Sequence, residues 1–149
     1  MLTVDVGNSS IGIGKRQGDR ISVVRCSQPE EAARLLDEES VGITVSIPRW
    51  DALAAAVGAR GGPTPHQLTG VPIPVAEPRL GASAGADRLA AVLAALPGPA
   101  VVVDAGTAVT VDVVDAAGVY RGGFIAAGPG VALSGLVAGA PALPPVPLT

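Results

Sequence analysis

The chain has 149 residues, of which 48% are hydrophobic and 15% charged, so it can bury a core as one domain or as two small lobes. A net charge of −3 and a single lysine, Lys15, argue against a groove that binds a phosphate backbone. The only aromatic residues are Trp50, Tyr120 and Phe124, which argues against base stacking, and we therefore predict no nucleic-acid partner.

The N-terminal segment predicts three short strands joined by turns at GNS and QGD, at residues 1–6, about 10–16 and about 19–25. Residues 28–39 (QPEEAARLLDEE) predict a helix, because a proline stands early, acids occupy the first turn and the apolar residues have helical spacing. A buried strand at 41–47 and a second helix at 48–57 are expected to follow.

The middle of the chain is rich in glycine and proline. Residues 58–70 predict a flexible loop that carries His66 on the surface. The segment GVPIPV (70–75) predicts an edge-like strand, because its prolines cannot donate to a central ladder. Residues 85–97 predict a helix with an acid and an arginine in its first turn, ended by the PGP sequence.

Cysteine content and hydropathy indicate the compartment. Cys26 is the only cysteine, so no internal disulfide can form, and we expect a buried thiol in a reducing cytosol. The N-terminus begins directly with a strand and shows no export signal. The stretch after Arg121 has no charge, but glycines and prolines divide it into short pieces, so we predict a soluble, cytoplasmic protein without a membrane helix.

Residues 101–127 repeat the pattern of residues 1–25: a strand, an Asp-x-Gly-polar turn, a strand, a turn and a strand. Asp5 aligns with Asp104, Gly7 with Gly106 and Asn8 with Thr107. This duplication predicts two similar lobes that face each other across a cleft, at residues 1–98 and 99–149.

The residue types of these two turns suit a polyphosphate. Glycine lets the backbone approach a phosphate closely, and small polar residues and turn N–H groups offer donors to anionic oxygens. The aspartate would repel phosphate, so it is expected to bind a cation or that cation's waters. The alternative is that each Asp-Gly is an ordinary hairpin turn.

Four motifs in register carry a family resemblance: DVGNSS (5–10), GADR (85–88), DAGTAVTVD (104–112) and GGFIAAGPG (122–130). Paired Asp-x-Gly-polar hairpins resemble the actin/Hsp70/sugar-kinase superfamily, and the set as a whole resembles type III pantothenate kinase. The resemblance runs from residue 1 to LPPV near the end of the chain. It implies an α/β fold of duplicated ribonuclease-H-like lobes, with the second lobe incomplete.

The resemblance implies the ATP and cation sites. The first phosphate-binding loop would comprise Asp5, Val6, Gly7, Asn8, Ser9, Ser10, Ile11 and Gly12. Thr107 would contact an ATP phosphate, and Asp104 would hold a monovalent cation, K⁺ or NH₄⁺. Mg²⁺ would arrive with the nucleotide.

For pantothenate, the resemblance implies contacts from Gly85, Ala86, Asp87 and Arg88, with Asp87 as the base for the primary hydroxyl. The planar fork of Arg88 suits a substrate carboxylate, and the pair stands at a helix start that favours an anion. The alternative is a capping acid followed by a solvated arginine. Thr110 and Asp112 share one face of their strand, bordering the cleft or facing solvent, and stay outside the predicted site.

The sequence departs from the family pattern in three places. Ser9 and Ser10 replace a threonine-rich end of the first loop, and LGASAGADR lacks the usual Asn-Pro pair before Gly-x-Asp-Arg. The family's later Gly-x-Asn-Thr motif, which helps to bind pantothenate, does not follow the LP segment. A lobe without those elements would leave an apolar face uncovered, so we predict a homodimer, as in the family.

Three functions therefore stand open. The first is a pantothenate kinase, which converts ATP and pantothenate to ADP and 4′-phosphopantothenate in the first step of coenzyme A biosynthesis. The second is a non-catalytic ATP-binding or regulatory homologue. The third is another kinase of the superfamily that acts on a sugar or a short acid, against which GADR argues.

Overall fold

The computed structural model describes residues 2–44 and 46–144, which form helices and strands in two compact units. The first unit comprises Met1–Val71 with Gly85–Asp87, and the second comprises Pro72–Ala84 with Arg88–Thr149. The predicted mixture of helices and strands is confirmed. Residues 72–84 and 88–98 group with the second unit by their contacts, whereas the sequence placed them in the first lobe.

The first unit is a five-stranded sheet in the order β3-β2-β1-β4-β5. Its strands are β1 Leu2–Val6, β2 Ile11–Gln17, β3 Arg20–Cys26, β4 Ser40–Thr44 and β5 His66–Gln67. The first three form an antiparallel meander, while β4 pairs parallel to β1 and β5 parallel to β4. Alternation along β1 buries Leu2, Val4 and Val6 and exposes Thr3 and Asp5, so one face of the sheet receives the core.

Two helices supply the rest of this core: α1 Pro29–Ala33 and α2 Ile47–Ala59. Leu53 and Val57 of α2 are completely buried, and so is Ala32 of α1. Trp50 packs so closely on β4 that a Cβ atom at Gly42 would lie 2.9 Å from its ring and 2.7 Å from the carbonyl oxygen of Val4. Cys26 is buried in the same cluster, as predicted.

Several predicted boundaries were wrong. The helix predicted at 28–39 ends at Ala33 and continues only as turns in which Arg34 N–H donates to Glu31 O and Leu36 N–H to Ala33 O. The strand predicted at 41–47 ends at Thr44, because Ile47 already begins α2 and the missing N–H of Pro48 is tolerated in a first helical turn.

The segment between α2 and β6 also differs from prediction. Residues 70–75 form no strand: Val75 makes a single parallel bridge to Tyr120, since Pro72 and Pro74 cannot donate to a ladder. The edge position belongs instead to β5, inside the predicted loop 58–70, where His66 is exposed as expected. A short helix, α3 Pro78–Ser83, was not predicted.

The second unit contains a three-stranded antiparallel sheet in the order β6-β7-β8, with β6 Ala100–Ala105, β7 Ala108–Val114 and β8 Tyr120–Ala127. The strand order of residues 1–25 thus recurs at residues 101–127, and an Asp-x-Gly turn joins the first two strands in both sheets. Helix α4 (Ala86–Ala94) crosses the division between the units at residues 87 and 88, and α5 (Pro129–Gly139) follows β8.

A β-bulge interrupts the pairing of β7 with β8. Asp112 pairs with Gly123, but Val114 pairs with Tyr120, so β8 carries one more residue than β7 between these pairs. Gly122 supplies the bulge conformation with a φ of +91°, which disfavours any residue with a side chain. Without the bulge, Tyr120 and Gly123 would point to opposite faces, because they are three residues apart.

The second sheet has two different faces. Cross-strand pairing brings Asp104 opposite Thr110 and Val102 opposite Asp112, and all four side chains therefore share one face. The other face carries Val101, Val103 and Phe124, which are 61% to 73% exposed. Among residues 2–44 and 46–144, no helix is long and apolar enough to cross a bilayer.

Candidate functional site

The first Asp-x-Gly turn lies between β1 and β2. Asp5 is exposed on β1 and pairs with Gly12 of β2, and the N–H of Gly7 donates to the carbonyl of Ser10 over 3.0 Å. Asn8 and Ser9 are exposed at the tip, whereas Val6, Ile11 and Gly12 are buried. The eight predicted ATP-loop residues thus divide into a polar, accessible turn and the strand ends that fix it.

A residue that the sequence analysis missed ties this turn to the neighbouring strand. Thr44, at the end of β4, donates its hydroxyl to the carbonyl of Val6 over 3.0 Å and accepts the N–H of Ser46 over 2.9 Å. Because β1 and β4 run parallel, their carboxyl ends meet at the same sheet edge. Thr44 therefore anchors the strand end from which the first turn departs.

The second Asp-x-Gly turn, between β6 and β7, is packed against the start of α5. Gly106 N–H donates to Ala108 O over 2.8 Å, and Gly128 N–H donates to Thr107 O over 2.9 Å. A Cβ atom at Gly128 would overlap the carbonyl oxygen of Gly106, so only glycine allows this approach. Asp104 and Thr107 are both exposed, and Asp104 stands one residue before the end of β6.

The GADR motif forms the start of α4. Asp87 lies in the first helical turn, and its Oδ1 atom is buried with no hydrogen-bond partner among the described residues. A Cβ atom at Gly85 would overlap that oxygen, so glycine leaves the room that the carboxylate occupies. A buried acceptor without a donor is costly, and such groups are found where a ligand completes the hydrogen bonding.

Gly85→Ala tests the importance of this close approach. The added methyl group is expected to push the Asp87 carboxylate aside, which costs little stability because that side chain can rotate. A displacement of this size should lower kcat for the phosphoryl transfer proposed below by about 10- to 100-fold. Steady-state kinetics and urea denaturation measure the two effects. Gly58→Ala, in α2 with open space around it, is the matched control, and equal kcat in the two variants would contradict the prediction.

Arg88 is largely buried and ion-paired. Its Nε donates to Oδ2 of Asp112 over 3.1 Å and its Nη2 donates to Oδ1 over 2.6 Å, and its side chain is only 15% exposed. The alternative of a capping acid followed by a solvated arginine is therefore wrong for Arg88. The planar fork predicted to meet a substrate carboxylate holds a protein carboxylate in this structure.

Asp112 does not face solvent. The whole residue is 1% exposed and Thr110 is 8% exposed, so the solvent-facing alternative for this pair is wrong. Besides the fork of Arg88, Asp112 Oδ1 accepts the hydroxyl of Tyr120 over 2.6 Å. Burial, and next the hydrogen bond to Asp112, raise the pKa of Tyr120 to about 12.

Tyr120 is the only tyrosine, so its ionisation can be followed directly by tyrosinate absorbance near 295 nm. We expect a titration midpoint of about 12 in the folded protein, against the ordinary value of 10.0. Because the folded-state pKa is raised, the stabilising contribution of the neutral phenol is complete below pH 10 and is lost as the pH rises through about 12. A midpoint near 10 while circular dichroism still reports the folded state would contradict this.

The face that carries Asp112 also carries the predicted cation ligand. Asp104 lies directly opposite Thr110, and Thr110 and Asp112 are two residues apart on β7, about 7 Å along the strand. Arg88 of GADR is thus fixed to the sheet face that bears Asp104, within one unit. Among the described residues, no three His, Cys, Asp or Glu side chains form a cluster suited to a metal ion.

Comparison with known proteins identifies the family of this chain. A sequence model of the type III pantothenate kinase family matches residues 62–149. The chain belongs to the type III pantothenate kinase family. The resemblance stated from the four motifs is therefore confirmed.

Individual relatives support the same family. The type III pantothenate kinase of Rhizorhabdus wittichii is 34% identical over an alignment of 173 positions including gaps, which covers 97% of this chain and 65% of the relative. That of Parafrankia sp. is 35% identical, covering 100% and 67%, and that of Nocardia farcinica is 35% identical, covering 91% and 60%. The chain thus spans about two thirds of the length of these type III pantothenate kinases.

Some residues of the candidate site were predicted from the sequence, and others were not. Asp5, Asp104 and GADR stand in the motifs from which the family resemblance was stated, and the assigned roles of these residues remain predictions. The same holds for the predicted facing of the two Asp-x-Gly turns across a cleft. Tyr120 and the partnership of Asp112 with Arg88 were missed. The available signal was a lone carboxylate inside the buried, alternating strand VTVDVV.

Proposed function

We propose that this chain is a type III pantothenate kinase, which transfers the γ-phosphoryl group of ATP to the primary hydroxyl of pantothenate in the cytoplasm. The products would be ADP and 4′-phosphopantothenate, in the first step of coenzyme A biosynthesis. The observation that carries the proposal is the attachment of the GADR helix start, through Arg88, to the sheet face that bears Asp104. We also propose that the two units derive from duplicated ribonuclease-H-like lobes, a reading supported by the recurrence of the three-stranded meander.

In the proposed reaction, Asp87 acts as the general base. The hydroxyl oxygen of pantothenate forms a bond to the γ-phosphorus, the bond from that phosphorus to the β–γ bridging oxygen breaks, and the electron pair leaves with ADP. The transition state of phosphoryl transfer is loose, so the hydroxyl proton can pass late to a positioned carboxylate. The buried, unpartnered Oδ1 of Asp87 supports this role, since it can accept a hydrogen bond from the hydroxyl.

The two Asp-x-Gly turns are proposed to bind the phosphates. Turn N–H groups and the side chains of Asn8, Ser9, Ser10 and Thr107 offer donors to anionic oxygens. The start of the 11-residue helix α5, packed against Thr107, adds the favourable end of a helix dipole. Gly85, Ala86 and Arg88 are proposed to contact pantothenate beside Asp87.

The residues around Asp104 fit a monovalent cation. The exposed carboxylate and the carbonyl groups of the adjoining turn are hard oxygen donors, the kind that alkali and alkaline-earth cations prefer. K⁺ or NH₄⁺ held there, with Mg²⁺ carried by ATP, would neutralise charge that develops on the phosphates. By binding that cation together with the turn carbonyls, Asp104 would help to hold the β6–β7 turn in place.

A coupled assay of ADP release, with and without pantothenate and K⁺, tests the function. We expect release that depends on pantothenate and is stimulated by K⁺ or NH₄⁺. Calorimetric binding of ATP without any turnover would instead indicate the non-catalytic homologue. Turnover with a sugar or a short acid, and none with pantothenate, would indicate another kinase of the superfamily.

We also propose that the chain forms a homodimer. The support is the exposed apolar face of the second sheet, with Val101, Val103 and Phe124, because large apolar patches usually mark contact surfaces. Sedimentation velocity is expected to show a dimer, and Phe124→Ser to shift it toward monomer. Ile125→Ser is the matched control, because Ile125 is 67% exposed on the opposite face of the same strand. A well-behaved monomer for the unsubstituted chain would contradict the proposal.

A further inference from the structure

The geometry points to Asp112 and Tyr120 as positioning residues for pantothenate: together they fix the guanidinium of Arg88 and, with it, the first turn of α4 that carries Asp87. The substrate in this statement rests on the proposed function. Neither residue belongs to the site predicted from the sequence, and neither is inferred to touch a reacting atom.

Both oxygens of the Asp112 carboxylate accept hydrogen bonds, three in all. Arg88 Nε donates to one oxygen, and Arg88 Nη2 and Tyr120 Oη both donate to the other. Two parallel N–H···O bonds hold the guanidinium and the carboxylate in one plane, so the arginine side chain cannot rotate independently. Tyr120 holds the carboxylate from a second direction, which fixes the acceptor as well as the donor.

Tyr120 is itself held by its backbone. Its N–H donates to Pro74 O over 2.8 Å, and its carbonyl accepts Ala76 N–H over 2.9 Å. The bulge at Gly122 then turns its side chain onto the face of Asp112. Because the N–H and the carbonyl of Tyr120 are both hydrogen-bonded, its backbone is held in place. The phenol can therefore support Asp112 rigidly.

This support acts at the helix turn where the chemistry is proposed. Arg88 directly follows Asp87, and both stand in the first turn of α4, so the backbone position of one limits that of the other. Asp112 also balances the charge of a side chain that is 15% exposed. An arginine already neutralised in this way is expected to contribute orientation to pantothenate binding more than charge.

Tyr120→Phe is the decisive variant, because it deletes one hydroxyl and keeps the ring. We expect the KM for pantothenate to rise about tenfold, as for loss of one hydrogen bond to a charged group, with the KM for ATP unchanged. Arg121→Gln is the matched control: it removes the partner of Asp115 in an exposed ion pair at the neighbouring position, and both KM values should stay as they were. Asp112→Asn, which keeps the shape and removes the charge, should reproduce the split between the two KM values.

Amide hydrogen exchange of residues 86–90 provides a second readout that does not depend on turnover. In Tyr120→Phe these amides should exchange faster, while those of β1 and β2 keep their rates. An unchanged KM for pantothenate together with unchanged exchange at 86–90 would overturn the inference, and so would an equal rise of both KM values. If the unsubstituted protein releases no ADP with pantothenate, the proposed function fails, and the exchange rates alone decide whether Asp112 and Tyr120 position α4.

Discussion

Replacing Asp87 with asparagine is expected to lower kcat for pantothenate-dependent ADP release by about 10²- to 10⁴-fold, the usual contribution of general acid–base catalysis. The amide keeps the size of the carboxylate but cannot take the proton of the pantothenate hydroxyl. The buried Oδ1 without a partner, and the glycine at position 85 that makes room for it, support this as the largest kinetic effect in the chain. Calorimetry should show that ATP still binds, because the nucleotide is assigned to other residues.

Glu30→Gln is the control for the Asp87 substitution. Glu30 is an exposed acid in the first turn of α1, where its charge interacts favourably with the helix dipole, as that of Asp87 does in α4. Its replacement therefore shows the effect of losing such a charge alone. Its kcat should match that of the unsubstituted protein. If Asp87→Asn retained more than a tenth of the original kcat, the assignment of Asp87 as the general base would be wrong. Its alternative role, as an acid that caps helix α4, would then explain its presence.

Asp112→Ala is expected to give the largest loss of stability, about 3–5 kcal/mol in the free energy of unfolding. The substitution removes the carboxylate that accepts two hydrogen bonds from the Arg88 guanidinium and one from the Tyr120 hydroxyl, in a largely buried setting. Because the Arg88 side chain is still 15% exposed, water can reach it in part, and the lower end of the range is favoured. Urea denaturation followed by far-ultraviolet circular dichroism measures the change.

Two further variants separate the buried charge from general damage. Arg121→Ala removes one side of an exposed ion pair in the same hairpin and should leave the urea midpoint almost unmoved. The double variant Asp112→Ala/Arg88→Met should recover much of the loss, because it also removes the guanidinium that has lost the Asp112 carboxylate. A double variant no more stable than Asp112→Ala would show that packing, rather than charge, sets the cost.

Local sequence patterns predicted the strands of both meanders. Alternation with period two is visible in LTVDV and VTVDVV, and Asp-x-Gly at the end of the first strand marks both turns. These features depend only on neighbouring residues. The family followed from the motifs at residues 5–10, 85–88, 104–112 and 122–130, which carry their information in residue types and order.

The features that were predicted wrongly or not at all share a physical cause: they depend on tertiary contacts. Helical spacing continues through Leu36, yet helix α1 ends at Ala33 and only single turns follow. Proline content pointed to an edge strand at 70–75, but the place beside β4 is taken by His66–Gln67. The partners of Asp112 come from positions 24 residues before and 8 residues after it, a separation that no local pattern encodes.

Although Gly122 has no side chain, the bulge that it forms in β8 decides to which face of the sheet Tyr120 points. If residues 120–123 kept their number but paired in simple alternation, the phenol of Tyr120 would point to the opposite side of the sheet, which would leave the carboxylate of Asp112 with the arginine alone. Replacing Gly122 with alanine would meet an unfavourable φ and bring the new methyl group within 3.3 Å of Leu80 in α3. Relatives of this chain that keep the extra residue should therefore keep it as glycine.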